Sequence, residues 1–436
     1  MAPAWPFAGL PAGWDALFGV VLAVIAGMFA WNLLLFVRGR RSTAAPPPAS
    51  EEDVRSLTWV FLVPALNEEI TIRDSVQRLL DLELPDRRVV VVDDDSDDET
   101  AAILADMNHP DLFVLRRTRP HARQGKAQAL NHAYRALGEV CGDPDRDRVI
   151  VVIVDADGRL DPSAPLYAAS HFRDPRVAGV QALVRIYNRR RPLTWLQDVE
   201  FSVYGQLFQA GRNDWGTAGM GGNGQFNRLS ALDDIAEADG PWRDRLTEDQ
   251  DLGLRLIAAG WRGRQDVRAV VEQQGPPTLR RLLDQRTRWS QGNLQAMGLA
   301  PAIRRAPLPL VARSELLAYL LMPFWQAVVG VGLASALFLA ATGVAPFWHG
   351  GPTWQLALFY LLAFGGSILG CIASRAAAGP AGWASGFVIA HPYALYTWLL
   401  WPVLVRSAIR QLSDRREWSK TEREPLEPAG ASRAIG

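Results

Sequence analysis

The fold prediction starts from V-I-V-V-I-V-D-A-D-G-R-L, residues Val149 to Leu160. Six consecutive β-branched residues, Val149–Val154, predict a strand that is buried on both faces, as in the middle of a parallel sheet. Asp155 and Asp157 follow at the carboxyl end, where open α/β sheets bind ligands. Two carboxylates at this spacing suit a hard divalent cation that also binds phosphate oxygens. Asp and Gly are equally ordinary turn residues, so this stretch alone leaves both interpretations open.

Composition limits the classes of protein that this chain can represent. Its 436 residues allow two or three domains, or one domain with a membrane region. Lys and Arg together number 46, as do Asp and Glu, so the net charge argues against nucleic acid or another polyanionic partner. The two cysteines, Cys141 and Cys371, form neither a disulfide framework nor a zinc pattern. They fit a reducing, cytosolic face.

The N-terminal region, residues 1–41, is predicted to contain a transmembrane helix. Residues 14–37 form an apolar run that is long enough to span a bilayer. Three arginines lie within the next four residues, so the positive-inside rule places the following chain in the cytoplasm. Residues 42–56, which begin with a proline-rich stretch, are predicted to be a linker.

Residues 57–275 alternate between strand and helix patterns, which predicts an α/β fold with a parallel-rich sheet and crossover helices. The predicted strands are Thr58–Val63, Arg88–Val92, Leu112–Arg116, Val149–Val154 and Val177–Val184. The predicted helices are Glu69–Leu80, Glu99–Met107, Lys126–Leu137, Pro162–His171, Pro192–Gln209 and Asp249–Ala259. This part of the chain is expected to form one cytoplasmic domain.

The C-terminal third is predicted to return to the membrane. Residues 276–313 are basic and amphipathic and should lie along the membrane surface. Residues 314–405 contain three apolar runs, and residues 406–436 form a basic tail. One early span and three late spans would place the tail outside, whereas its arginines favour the inside. Either one late run is interfacial or re-entrant, or the charge rule fails here. Of these two alternatives we expect the first, which gives a cytoplasmic tail.

Five further motifs place polar residues beside predicted elements. They are P-A-L-N-E-E (Pro64–Glu69), D-D-D (Asp93–Asp95), G-K-A-Q-A-L-N (Gly125–Asn131), T-E-D (Thr247–Asp249) and Q-R-T-R-W (Gln285–Trp289). Each also has an ordinary structural explanation. Asn67 would cap the first helix, and acids in a first helical turn complement the helix dipole. The alternative explanations are a cation or ligand beside the clustered carboxylates, an anion site at Lys126 and a general base at Asp249.

Taken together and in this order, these motifs and D-A-D resemble the family-2 glycosyltransferases. More narrowly, they resemble the membrane-integrated β-glycan synthases, which include cellulose, hyaluronan, chitin and poly-N-acetylglucosamine synthases. Q-R-T-R-W is similar to the Q-x-x-R-W box of that family, and the resemblance covers roughly residues 57–300. It implies a nucleotide-sugar-binding domain of the GT-A type, an inverting single displacement and a multi-pass protein of the cell membrane.

The resemblance also implies a role for individual residues. The implied donor-binding residues are Glu68, Asp93, Asp94, Lys126, Asp155, Gln285 and Arg288. Asp249 would deprotonate the acceptor hydroxyl, and the carboxylates of Asp155 and Asp157 would hold the donor. Asp157 would bind Mg²⁺ or Mn²⁺ that bridges the two phosphates. The implied acceptor-binding residues are Trp289, Glu248 and Asn223.

The motifs and the apolar runs are compatible with three functions, which they support to different degrees. The leading expectation is transfer from a UDP-sugar to a growing β-linked polysaccharide, with accessory export subunits as further partners. The alternative is addition of a single sugar to a lipid such as a diacylglycerol or a polyprenyl phosphate, which the small membrane region favours. A channel or transporter with a nucleotide-sensing domain is disfavoured, because the late apolar runs lack the buried charges of a substrate path.

Overall fold

The structure is a computed structural model that describes residues 13–41, 46–142, 144–344, 353–413 and 424. The remaining residues include part of the predicted linker, 42–45, and most of the predicted tail beyond 413. Expectations for those segments lie outside the described residues. The predicted linker also contains a short helix, Glu51–Arg55, which Ser50 caps by accepting a hydrogen bond from the Asp53 amide.

The strands form one eight-stranded sheet. In chain order they are β1 Thr58–Ala65, β2 Arg87–Asp93, β3 Leu112–Arg116, β4 Val149–Ile153, β5 Arg159–Leu160, β6 Val177–Ile186, β7 Gln225–Arg228 and β8 Arg262–Gln273. Their order across the sheet is β3-β2-β1-β4-β7-β6-β8-β5. Strands β1 to β4 pair in parallel, whereas β7 is antiparallel to both of its neighbours. The parallel-rich α/β sheet expected from the sequence is confirmed.

The apolar strand β4 lies at the centre of the sheet, between β1 and β7. All five of its residues are buried, as six successive β-branched residues predicted. In the adjacent strand β1, Phe61 and Val63 pack into the core on one face and Val60 and Leu62 into the core on the other. Helices on both faces therefore cover a continuous apolar layer. The carboxyl ends of β1, β2 and β4 consequently meet at one edge.

Three strands were not predicted, because their sequences are polar. All four residues of β7, Q-F-N-R, are buried, and their polar groups are satisfied inside the protein. Asn227, for example, donates to the Val151 carbonyl at 3.3 Å. Strand β8 contains buried Gln265 and Asp266 and changes register where Ala182 and Leu183 pair with it, so its alternation of apolar residues is broken.

The α-helices cover the two faces of the sheet and continue into the apolar region. In chain order they are α1 Trp14–Arg41, α2 Glu51–Arg55, α3 Ile72–Leu80, α4 Thr100–Asp106, α5 Lys126–Cys141, α6 Ala164–His171, α7 Pro192–Val203, α8 Leu229–Asp234, α9 Glu248–Ala258, α10 Leu279–Ala296, α11 Ala300–Arg305, α12 Leu310–Leu320, α13 Met322–Ala341, α14 Thr353–Arg375, α15 Gly379–Leu399 and α16 Trp401–Leu412. A π-helix, Tyr204–Gln209, and a 3-10 helix, Ala210–Trp215, extend α7.

One predicted helix cap is wrong. Asn67 does not cap α3, because that helix begins at Ile72 and its N-cap is Thr71. Asn67 instead has a positive φ of 55°, and its side-chain amide donates to the carboxylate of Asp97. The Asn67 side chain also accepts a hydrogen bond from the Asp97 amide at 2.9 Å. It therefore joins the ends of β1 and β2, an arrangement that local sequence does not reveal.

Three helical stretches among the described residues are long and apolar enough to cross a membrane. They are Trp14–Arg40, Met322–Ala341 and Trp354–Leu412, and the last of them comprises α14, α15 and α16. The first lies far from the other two in sequence but beside them in space, since Gly365 of α14 approaches the Phe29 ring of α1. These helices indicate membrane association.

The long apolar helices are attached to the sheet domain at one end. Arg38, near the end of α1, pairs with Asp214 at 3.5 Å. At the opposite end of α1, Phe18 packs against Leu339, near the end of α13. Helix α13 therefore leads away from the sheet domain. Helix α14 leads back to it, because Gly370 approaches the Val203 side chain.

The last two helices, α15 and α16, return to the sheet domain. Their course is relevant to the prediction that the C-terminal tail is cytoplasmic. Tyr396, near the end of α15, donates to Glu200 of α7 at 2.7 Å. Ser407 of α16 lies 2.8 Å from Ser290 of α10. Glu424, beyond α16, donates its amide to Gln274 of the sheet domain. Helices α15 and α16 thus begin and end near the domain, as a re-entrant pair would.

We predict that the end of α16 and the sheet domain lie on the same side of the membrane. Single cysteines at Leu412 and Asp106, both exposed, should react alike with a membrane-impermeant maleimide in sealed vesicles. A cysteine at Thr342, just beyond α13, should show the opposite accessibility. Both native cysteines are replaced by serine in all three variants. Labelling of Leu412→Cys together with Thr342→Cys, and not with Asp106→Cys, would contradict the arrangement.

Candidate active site

A single cavity of about 1820 Å³ adjoins the carboxyl ends of β1, β2 and β4 and continues between the membrane helices. Most of the residues singled out from the sequence lie on its wall. They are Glu68, Asp94, Lys126, Asp155, Asp157, Asn223, Glu248, Asp249, Gln285, Arg288 and Trp289. Residues that are far apart in the chain are thus brought to one site.

At the end of β2, the two acids Asp93 and Asp94 have different environments, which the sequence could not predict. Asp94 lines the cavity and forms a buried ion pair of 2.6 Å with Arg117. Burial raises the pKa of the Asp94 carboxyl although Arg117 opposes the shift. Asp93 lies outside the cavity wall that the described residues form, and it accepts a hydrogen bond from the Ser96 amide at 3.0 Å. Asp93 therefore closes the turn, and Asp94 faces the site.

The loop before α5 was predicted as a basic anion site, and its position is set by a residue that the sequence did not single out. Arg123, at a positive φ of 61°, donates to the Asp95 carbonyl at 2.6 Å and pairs with Asp97 at 2.9 Å. These contacts hold the loop against the end of β2. Arg123, Gln124 and Gly125 all line the cavity. The only signal in the sequence was the basic character of the loop.

The D-A-D turn is held by hydrogen bonds to two residues outside it. Asn223 accepts a hydrogen bond from the Asp155 amide at 3.1 Å. The Gln274 amide donates to Asp157, which is buried, at 3.1 Å. The turn also needs a glycine after Asp157, because a Cβ at Gly158 would lie 2.7 Å from Val154. Asn223, predicted to bind the acceptor, thus supports the turn, although it also lines the cavity.

Whether this turn suits a divalent cation depends on its donor atoms. No group of three or more His, Cys, Asp or Glu side chains among the described residues is arranged to hold a metal. Mg²⁺, however, is usually held by one or two carboxylates, with substrate phosphates and water completing its coordination. Asp155 and Asp157 supply such hard oxygen ligands at one strand end. They fit a cation that binds together with a diphosphate, and they do not form an all-protein cage.

Lys126 lies among the acids of the D-A-D and T-E-D motifs. Its ammonium is 2.5 Å from Asp155 and 3.8 Å from Glu248. The backbone of Gly222 lies between Lys126 and Asp249, because a Cβ there would be 3.1 Å from the Lys126 nitrogen and 3.2 Å from the Asp249 carboxylate. One cation therefore compensates several carboxylates, and it lies beside the predicted catalytic acids.

The first turn of α9 supplies two carboxyl groups with altered proton affinity. Burial raises the pKa of Glu248 to about 7 and also raises that of Asp249, while the positive charge of Lys126 opposes both shifts. A carboxylate that binds a proton more readily than usual is a better general base. The raised pKa of Asp249 fits the role of base that the sequence predicts for it.

The Q-R-T-R-W segment lies on α10, where Gln285, Arg288 and Trp289 face the cavity. The Trp289 ring makes an edge contact with Phe201 of α7 at 6.1 Å. The guanidinium of Arg286, a residue not singled out from the sequence, stacks on Trp289 at 4.1 Å and pairs with Glu200 at 2.6 Å. The box is therefore held by α7 from one side.

Comparison with known proteins gives matches over most of the sheet domain. The sequence model of the family described as glycosyltransferase like family 2 matches residues 59–292. Poly-beta-1,6-N-acetyl-D-glucosamine synthase of Staphylococcus epidermidis is 28% identical over 266 residues, which are 60% of this chain and 59% of that protein. Beta-monoglucosyldiacylglycerol synthase of Trichormus variabilis is 31% identical over 294 residues, which are 65% of this chain and 57% of that protein.

The fold has a counterpart among solved structures. The mannosyltransferase PcManGT from Pyrobaculum calidifontis, in complex with GDP-Man and Mn²⁺, superposes with a TM-score of 0.60 at 21% identity. The superposition covers 92% of this chain and 99% of that one. The predicted GT-A type of fold is thereby confirmed. Since the family model matches more than half of the 436 residues, this chain belongs to glycosyltransferase-like family 2.

Proposed function

We propose that this glycosyltransferase transfers one sugar from a UDP-sugar to the hydroxyl group of a membrane lipid. The observation that carries the proposal is the course of the cavity, which joins the carboxylates of Asp157 and Asp249 to the space between the membrane helices. A lipid whose acyl chains lie between these helices would present its headgroup to Asp249. The sequence favoured a polysaccharide acceptor, and the character of the cavity wall favours the lipid.

The part of the cavity between the apolar helices is lined mostly by apolar side chains, many of them from α1, α13 and α14. They include Phe18, Val21, Leu22, Ile25, Met28 and Phe29 of α1, Val329, Leu333, Ala336 and Leu339 of α13, and Leu356, Phe359, Leu362 and Ala363 of α14. The polar side chains on this part of the wall include Asn32, Gln326, Gln355, Ser367 and Thr397, and the apolar ones outnumber them. A hydrophilic sugar polymer would lose its hydrogen bonds to water there, whereas acyl chains would not.

The donor would bind at the end of the cavity nearest the sheet. Glu68 and Asp94 lie on the wall where the nucleoside is expected, and Arg288 lies on the wall contributed by α10. Asp157, with Asp155, would hold Mg²⁺ or Mn²⁺, which supplies positive charge to the diphosphate leaving group. Arg288 would add a second positive charge, which stabilises the negative charge that develops on the departing UDP.

Transfer then requires one deprotonation. The acceptor oxygen attacks the anomeric carbon, and the bond between that carbon and the phosphate oxygen breaks, with its electron pair leaving on UDP. Asp249 takes the proton of the acceptor hydroxyl. Attack from the face opposite to UDP inverts the anomeric configuration. The raised pKa of Asp249 suits this role, because it keeps the proton on the carboxyl group once it has been transferred.

Extension of a β-linked polysaccharide is the second candidate. The Gln285, Arg288 and Trp289 box on the cavity wall favours it, because a tryptophan ring beside the donor site suits contact with a sugar ring. The relative named as a poly-beta-1,6-N-acetyl-D-glucosamine synthase supports the same candidate, as the monoglucosyldiacylglycerol synthase supports the lipid. A polysaccharide product would make accessory export subunits plausible partners.

We also propose which parts of the chain lie in the cytoplasm and which in the membrane. The chain spans 59% and 57% of the lengths of the two named relatives, so their activities guide the proposal and do not define it. We place residues 57–275 in the cytoplasm, residues 276–313 at the membrane surface and residues 314–405 within a multi-pass membrane region. Residues 1–41 would provide a further helix, and cytoplasmic nucleotide sugars would reach the cavity from the sheet side.

The proposal is tested by identifying the product. Purified full-length protein in lipid nanodiscs that contain dioleoylglycerol is incubated with Mn²⁺ and one radiolabelled donor: UDP-glucose, UDP-N-acetylglucosamine, UDP-galactose or GDP-mannose. We expect label from one UDP-sugar to enter the organic phase as a lipid that carries one sugar. The Asp249→Asn variant is the matched control. A long water-soluble product would establish the polysaccharide candidate instead.

A further inference from the structure

A polar group lies where the cavity passes from the catalytic carboxylates to the membrane helices, and none of the motifs includes it as a whole. It consists of Tyr204, Tyr319 and Gln250, all of which line the cavity. The two phenol oxygens are 3.4 Å apart, and the Gln250 amide nitrogen is 3.5 Å from the Tyr319 oxygen. Gln250 follows the base Asp249 directly in the chain. An acceptor headgroup that reaches Asp249 from the membrane would therefore pass this group.

The position of Tyr204 depends on an irregular helix. Tyr204 is the first residue of the π-helix Tyr204–Gln209, which continues α7. Turns of this kind are rare and occur often at functional sites. Here the wider turn presents Tyr204, Gly205 and Phe208 to the cavity. Tyr204 is 38% exposed as a residue and lines the cavity.

The position of Tyr319 is set by a buried ion pair. The guanidinium of Arg212 lies 4.3 Å above the Tyr319 ring and pairs with Glu315, one turn earlier on α12, at 2.8 Å. Both charged side chains are almost fully buried. Trp31 of α1 donates to the same Glu315 oxygen at 3.1 Å. Arg212 thus packs on the Tyr319 ring, and Glu315 and Trp31 fix Arg212 in that position.

The charges around this group select among acceptors. Arg212, the cation in contact with Tyr319, is already neutralised by Glu315, and the neighbouring acids on the catalytic side are Glu248 and Asp249. A phosphate headgroup at this position would meet Arg212, which already pairs with Glu315, and on the catalytic side Lys126, which already pairs with Asp155 and Glu248. A neutral headgroup needs only hydrogen-bond partners, which two phenols and an amide provide.

We propose that Tyr204, Tyr319 and Gln250 form the headgroup subsite for a neutral, hydroxyl-bearing lipid acceptor such as a diacylglycerol. This inference rests on the proposed function, since it assumes a lipid acceptor, and it goes further by naming the headgroup chemistry and the residues that bind it. The phenols orient the hydroxyl for Asp249, and the Arg212–Glu315 pair acts as a positioning element behind them.

The test compares the variants Tyr319→Phe and Tyr204→Phe with the wild type in nanodiscs in which dioleoylglycerol is titrated at saturating UDP-sugar. Each loss of a neutral hydrogen bond should lower kcat/KM for the lipid by about fivefold, and the double variant should lose more. KM for the UDP-sugar should not change. Tyr134→Phe, which removes a phenol bonded to Asp233 away from the cavity, is the matched control. Thermal melting confirms that each variant folds.

Three results would overturn the inference, and they differ from one another. If both phenylalanine variants keep the wild-type kcat/KM for dioleoylglycerol, these phenols do not bind the headgroup, although the lipid acceptor stands. If a polyprenyl phosphate is a better acceptor than dioleoylglycerol, the neutral headgroup is wrong. If the wild type itself labels neither lipid and produces only a water-soluble product, the proposed function fails, and the subsite fails with it.

Discussion

Replacing Asp249 with asparagine is expected to reduce the rate of sugar transfer by about a thousandfold, within the range that general bases contribute. An amide of the same shape cannot accept the proton of the acceptor hydroxyl. The affinity for UDP should remain, because Asp249 lies in the first turn of α9, away from Glu68 and Asp94, where we place the nucleoside. Transfer is measured with the radiolabelled donor and UDP binding by calorimetry on the same preparation.

The matched control for this variant is Asp251→Asn, on the same turn. Asp251 is buried and pairs with Arg255 at 2.8 Å, and it does not line the cavity that the described residues enclose. Its replacement should lower the melting temperature, because a buried ion pair loses one partner, while the transfer rate of the folded protein is retained. If Asp249→Asn retains wild-type transfer, or loses UDP as well, the assignment of Asp249 as the base is wrong.

Replacing Asp157 with alanine is expected to weaken the Mn²⁺-dependent binding of UDP by about a hundredfold or more. The reason is that a divalent cation contributes several kcal/mol to the stabilisation of diphosphate charge, and Asp157 is the carboxylate that we expect to hold it. Chelation of the metal from the wild-type protein should have the same effect, and added Mn²⁺ or Mg²⁺ should reverse it. Calorimetric titration of UDP with and without metal measures both.

Asp161→Ala serves as the control for the loss of a nearby carboxylate. Asp161 follows the same turn, is exposed and accepts a hydrogen bond from the Ser163 amide at 2.8 Å. This variant should bind UDP and Mn²⁺ like the wild type. The metal assignment would be contradicted by an Asp157→Ala protein whose UDP affinity still rises with Mn²⁺ as strongly as that of the wild type.

The apolar strands of the sheet could be predicted from the sequence, and the polar strands could not. Val149–Val154 identified β4, because a run of β-branched residues has few uses other than a buried strand. Strand β7 carries Gln225 and Asn227 in equally buried positions. Gln225 donates to Asn227 in the same strand, and Asn227 donates to a partner from a distant segment, the Val151 carbonyl. Such partners exist only in the folded protein, so local sequence contains no sign of them.

The same reasoning applies to the candidate site. Motif order predicted which residues meet, and Asp155, Lys126 and Asp249 do lie together on one cavity wall. The sequence could not tell Asp93 from Asp94, because the two differ only in the direction in which their side chains leave the end of β2. It also could not reveal the Arg212–Glu315 pair, whose members are 103 residues apart.

The contact between Lys126 and Asp155 has a consequence for the order in which ligands bind. Lys126 and a divalent cation would compete for the Asp155 carboxylate. A cation that binds without a nucleotide must therefore break the Lys126–Asp155 ion pair of 2.5 Å and leaves the ammonium without that partner. A cation that arrives with a diphosphate also brings oxygens that can pair with the displaced ammonium. Metal and nucleotide sugar should therefore load as one unit. Metal occupancy of the enzyme would then depend on the supply of nucleotide sugar as well as on the concentration of free metal.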